Sequence, residues 1–98
     1  MNKDQPTLLK IVRLTKDNIP TGKTSHYHGE NKLPPPVELK IVKYPDDAGY
    51  YLFYCDDTGI EFTDTYHETL KDALEQATWE FQIQESQWET VNPEGKNI

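Results

Sequence analysis

The chain carries a single cysteine, Cys55, in 98 residues. That excludes an intramolecular disulfide, and a reduced, cytoplasmic setting is the expectation. No apolar run approaches the roughly 20 residues needed to cross a bilayer, and the opening MNKDQPT lacks the apolar stretch of a secretory leader. No membrane association is therefore expected. The Gly-rich phosphate loop, the nucleophile elbow and the paired-histidine protease motif are all absent. The reading is a non-enzymatic protein with no cofactor.

Basic residues are scarce in one half only. Residues 1–43 hold eight Lys and Arg against four Asp and Glu, a balance of +4, whereas residues 44–98 hold two lysines against thirteen carboxylates, −11; the whole chain carries −7. So acidic a half repels phosphate backbones, so nucleic acid is not expected as a partner. A basic protein is favoured instead, or the basic half of a second copy in a homodimer. Hydrophobics make up 35% of the residues, enough for one small core, so residues 1–98 are read as a single domain.

The stretch GYYLFYCDDTGIEFTDTYHETLKDALEQATWEFQI, residues 49–83, organises the rest. Tyr50, Leu52 and Tyr54 alternate with Tyr51, Phe53 and Cys55, so both faces of this strand are apolar and it belongs inside a sheet. Asp56-Asp57-Thr58-Gly59 supplies a turn: the carboxylates can accept from nearby amides, and Gly59 can take a positive φ. In the returning strand Ile60 and Phe62 are expected on the core side, with Glu61 and Thr63 in water. Thr69 is positioned to cap a helix over residues 69–84 through the amide of Asp72. Leu70, Ala73, Leu74, Ala77 and Phe81 form its apolar stripe at about 100° per residue.

Two further strands precede this unit, at 8–14 and 37–44. In the first, Leu9 and Ile11 are expected on one face and Leu8, Val12 and Leu14 on the other; in the second, Val37, Leu39 and Ile41 point inward. Lys10-Ile11-Val12-Arg13 and Lys40-Ile41-Val42-Lys43 echo one another, as two strands at sheet edges guarded by lysine would. Residues 15–36 read as a long polar loop, and 92–98 as a frayed tail. The expected fold class is α+β: an antiparallel sheet of three to four strands with one C-terminal amphipathic helix packed on one face.

Trp79 stands outside the helix stripe. At about 100° per residue it lies opposite Leu70, among Asp72, Glu75 and Gln76. An indole ringed by Asp72, Glu75, Glu80 and Gln82 has the character of an aromatic anchor with a polar rim, so Asp72, Glu75, Gln76, Trp79 and Ile83 are the candidate partner-binding residues. The opposing expectation is that the tail folds back and Trp88 or Val91 covers the indole. Among chemically capable groups, His26 and His28 can share a metal in an extended segment, though a solvated loop is the simpler reading. His67 can act as a base oriented by Asp64 or Glu68 with Cys55 as nucleophile, but no cation adjoins Cys55 in sequence to lower its pKa. Asp46, Asp47, Asp56, Asp57 and Asp64 lack the spacing of a calcium loop and suit turns.

Asp46, Gly49, Tyr50 and Tyr51, followed by Thr69-Leu70-Lys71-Asp72-Ala73-Leu74 and Ala77, resemble the HicB-like antitoxin domain over about residues 37–82. The Pro-Gly-Cys turn common in that family is replaced by residues 55–59. What the resemblance implies is a cytosolic bacterial protein that neutralises a small basic toxin by contact. Small acidic immunity proteins are similar at this level.

Overall fold

A computed structural model of the chain describes residues 5–16, 18 and 27–92. Its elements are β1 (Thr7–Arg13), β2 (Tyr27–His28), β3 (Asn31–Lys32), β4 (Glu38–Lys43), β5 (Tyr50–Cys55), β6 (Glu61–His67), α1 (Leu70–Phe81), a 3-10 turn (Glu85–Gln87) and β7 (Glu89–Thr90). Five strands make one antiparallel sheet in the order β6-β5-β4-β1-β7, and β2 and β3 pair separately. The class is α+β, with α1 laid on one face. The sheet exceeds the expected three to four strands because the tail returns as β7 beside β1.

The aromatic strand β5 lies between β4 and β6, as its two apolar faces require. Tyr50, Leu52 and Tyr54 join Leu39 and Ile41 of β4 in the core under α1. The β5–β6 turn is built by Asp56, whose Oδ1 accepts from the amides of Thr58 (2.9 Å) and Ile60 (3.0 Å), while Gly59 sits at φ +85. At the other end of β5 the Asp47 carboxylate accepts from the Gly49 amide (3.1 Å) and the Tyr51 hydroxyl (2.9 Å). Both aspartates are thereby held below the usual carboxylate range, Asp47 chiefly by the Gly49 amide and Asp56 chiefly by the Thr58 hydroxyl.

Two bulges override simple alternation. The β1–β4 register slips between Leu8 and Lys10, so Leu9 and Val12, three residues apart, both reach the core and Ile11 does not. The β5–β6 register slips at Tyr54/Cys55. Phe62 packs against the core as expected, but Thr63 stands opposite Tyr54, and Ile60, expected inside with Phe62, is exposed. The lysine-bearing echo does not mark edges either: β1 and β4 pair with one another in the sheet interior.

Thr69 caps α1, its hydroxyl accepting from Asp72 N at 3.0 Å. Ala73, Ala77 and Phe81 are buried, with Leu70 and Leu74 packed at the margin. The helix ends at Phe81 instead of residue 84 because Gln82 adopts a left-handed conformation, φ +56, and its N–H bonds Thr78 O. Ile83 is thereby turned off the helix and into the core, 2% exposed. Asn18 locks this corner. Its amide nitrogen donates to the carbonyls of Phe81 and Gln82 (3.4 Å each) and to Gln87 Oε1 (3.2 Å), and its oxygen accepts from Gln87 Nε2 (2.9 Å) and Thr15 N (3.0 Å). The segment expected as an unbroken loop, 15–36, therefore has an anchored start. It also contains the β2–β3 hairpin, with Gly29 at φ +67 as the first loop residue.

Candidate functional site

One flank of α1 presents Asp72, Glu75, Gln76 and Trp79, at helical spacings of three and four, toward the end of β6. Together with Tyr66, His67 and Glu68 they line a groove of about 550 Å³. Four of the five residues picked from the sequence thus stand together. Ile83 does not join them, because the left-handed turn at Gln82 sends it into the core. Glu80, assigned to the rim of Trp79, is also buried and faces the sheet.

Glu80 is the floor beneath this flank. Its carboxylate accepts a very short hydrogen bond from the Tyr54 hydroxyl and a bond of 2.9 Å from Gln76 Nε2. Burial, reinforced by that acceptor, pushes the Tyr54 phenol well up, so it stays a donor throughout the physiological range. A buried carboxylate needs such donors. They fix the Gln76 side chain and tie α1 to β5.

His67 lies opposite Tyr50 and Asp64 opposite Phe53, on opposite faces of the sheet. The histidine–aspartate base pair considered from the sequence does not form. His67 instead meets Thr65 Oγ1 through Nε2 at 2.8 Å. Burial lowers its pKa, with Asp72 and Glu80 pulling the other way, so the imidazole is neutral at pH 7. Cys55 is fully buried and its thiol is pushed up to about 11, burial being the main cause, which leaves no thiolate nucleophile at neutral pH. Among the described residues, no three His, Cys, Asp or Glu side chains gather as metal ligands. His26 lies outside the described residues, and only the backbone of His28 lies within them.

What the groove offers is negative charge beside aromatic faces. Glu68, Asp72 and Glu75 are exposed carboxylates, Trp79 is 42% exposed and Tyr66 49%. Lys71 leans on Glu75 at 3.9 Å, with both side chains in solvent, a contact of little energetic weight. Carboxylates flanking an indole suit an ammonium or guanidinium group, through charge and through the ring face. Neither Trp88 nor Val91 covers Trp79. Trp88 packs against the core, and Val91 bonds Leu9 at the sheet edge remote from β6.

The helix-free face of the sheet bears a second aromatic group. Tyr44 meets Tyr51 edge-on (5.4 Å between centroids) and Tyr51 meets Tyr66 (5.1 Å). The Tyr66 ring lies directly over Gly49, where a Cβ would fall 2.1 Å from its hydroxyl oxygen. Gly49 is needed for this close approach. Tyr66, His67 and Glu68 were missed as groove residues from the sequence. The available signal was their position two to four residues before the first turn of α1, which brings a strand end and a helix flank side by side. Comparison of the chain with protein-family models, curated proteins and solved structures found no match.

Proposed function

We propose that this protein is a non-enzymatic binding module whose α1–β6 groove receives a basic protein partner, acting by contact in the manner of an antitoxin or immunity protein. The observation that carries the reading is the groove itself: three carboxylates and the exposed Trp79 indole gather where helix flank and strand end meet. Electrostatic attraction brings such a partner in, and the Trp79 indole supplies the anchor.

The test is titration of the protein with a lysine–arginine-rich peptide, followed by calorimetry at 50 and 500 mM salt. Binding should weaken with salt. The pair Asp72→Lys and Glu75→Lys should weaken it at least about tenfold at low salt, with helix content by circular dichroism unchanged. Equal affinity of the charge-reversed variant, or tighter binding of an acidic peptide, overturns the reading.

A further inference from the structure

The sheet has two outer strands, and they differ. At one side β7 is two residues long, too short to template pairing. At the other β6 runs for seven residues, Glu61–His67, and among the described residues nothing pairs along its outer side. In an antiparallel sheet every second residue of such a strand directs its N–H and C=O outward. Natural edges are commonly blunted by lysine, proline, shortness or a bulge. β6 has neither lysine nor proline, and its one bulge, at Phe62, disturbs only the first end.

The exposed large hydrophobics gather at this edge. Among the described residues, Ile60 (65%), Tyr66 and Trp79 lie at or beside β6, and only Val91 (43%) lies at the other side of the sheet. Tyr66 stands on the helix-free face and Trp79 on the helix side, so the edge has an aromatic flank on each side. The charges along it are mainly negative: Asp64 on the strand with Glu61 beside it, then Glu68, Asp72 and Glu75 toward and on α1, against Lys71 at Glu75. A second copy pairing through β6 would set these carboxylates against their own kind, which destabilises cross-strand neighbours. A basic strand would meet opposite charge on both faces.

We propose that the outer edge of β6 takes an extended, basic segment of the partner as a sixth strand, with alternate side chains entering the Trp79 groove on one face and meeting Tyr66, Asp64 and Glu61 on the other. This rests on the basic-partner reading and adds the mode of recognition: main-chain hydrogen bonds supply affinity, and the two flanks supply preference for charge.

The probe is an alternating Lys-Val decapeptide, with its Glu-Val counterpart and two N-methylated forms, methylated at every second amide in one frame or the other. The full chain is titrated calorimetrically, and amide hydrogen exchange of β6 is followed. Strand addition is expected to leave one methylation frame binding normally and weaken the other at least about tenfold, because only one frame removes the donors facing β6. β6 amides should become protected, and the acidic peptide should not bind. If both frames bind alike while charge reversal at Asp72 and Glu75 abolishes binding, strand addition is wrong and the basic-partner reading stands. If no basic peptide binds, both fall. Sedimentation showing a dimer that strengthens with salt, with β6 protected in it, would assign the edge to a second copy and overturn the proposal.

Discussion

Substituting Gly49 by alanine should destabilise the protein, and the loss should vanish when Tyr66 is also removed. Gly49 has no positive φ, so a methyl group brings no backbone strain. By restricting the unfolded chain it would by itself add roughly 0.5 kcal/mol of stability. The methyl carbon, however, would lie 2.1 Å from Tyr66 Oη and 2.2 Å from Cζ. Tyr66 is half in solvent, so the ring would swing aside instead of the backbone breaking. What is lost is its edge-on contact with Tyr51, worth about 0.5–1.5 kcal/mol, together with its solvent-exposed contact with the Asp47 carboxylate. The balance is up to about 1 kcal/mol of destabilisation, or at most roughly 4–8 °C in Tm for a domain of this size. In a Tyr66→Ala background the same Gly49→Ala change should be neutral or slightly stabilising, giving a coupling of about 0.5–1.5 kcal/mol in a double-mutant cycle. Urea unfolding of the four proteins measures this, provided m is constant across them. An equal loss in both backgrounds would mean that glycine is required by the backbone, and the close-approach reasoning would be wrong.

Asn18→Ala should cost about 2 kcal/mol, roughly 10 °C in Tm, because it strands the Gln87 amide and the last carbonyls of α1 in a buried corner; Asn18→Asp should not rescue it, since a carboxylate cannot donate to those carbonyls. A thermal shift under about 2 °C for the alanine variant would refute the locking role. The pH profile offers a separate check. Glu61 is pushed up to about 7, by burial first and then by the neighbouring Asp64 carboxylate. Between its ordinary pKa near 4.5 and 7 the folded state holds a proton that the unfolded chain releases, so this group costs stability as pH rises through the window. His67, whose pKa burial lowers, acts oppositely, costing stability as pH falls through about 6.5. Glu61→Gln should therefore remove the decline between pH 5 and 7 while leaving the His67 rise, as read from urea midpoints between pH 5 and 8. An unchanged slope in the variant would assign the decline to another group.

Much of the local structure was legible in the residues because its causes are local. The Asp56–Gly59 turn, the two-faced aromatic strand and the Thr69 cap each depend on atoms a few positions apart, and all three form as the pattern requires. The two bulges were not legible. A register slip depends on how partner strands meet, so Leu9 and Val12 both reach the core, and Ile60 leaves it while Phe62 stays as expected. The helix end was misjudged for the same kind of reason: Gln82 ends α1 in a left-handed turn, and carbonyls there are satisfied by Asn18, more than sixty residues away in sequence. That one turn also separates Ile83 from Trp79, which sequence proximity had grouped.

Charge asymmetry, the alternation of β5 and the stripe of α1 are properties of the chain itself, and they settle an acidic α+β domain with one helix on a sheet. Which strand stands at the edge, where the tail goes and which carboxylates face water are decided by tertiary pairing. Trp88 or Val91 could have covered Trp79; that segment crosses to β1 instead, because Glu89 and Thr90 find backbone partners there. Hydrogen bonds between strands reward pairing wherever register and twist allow, and neither quantity is written in a single stretch of sequence.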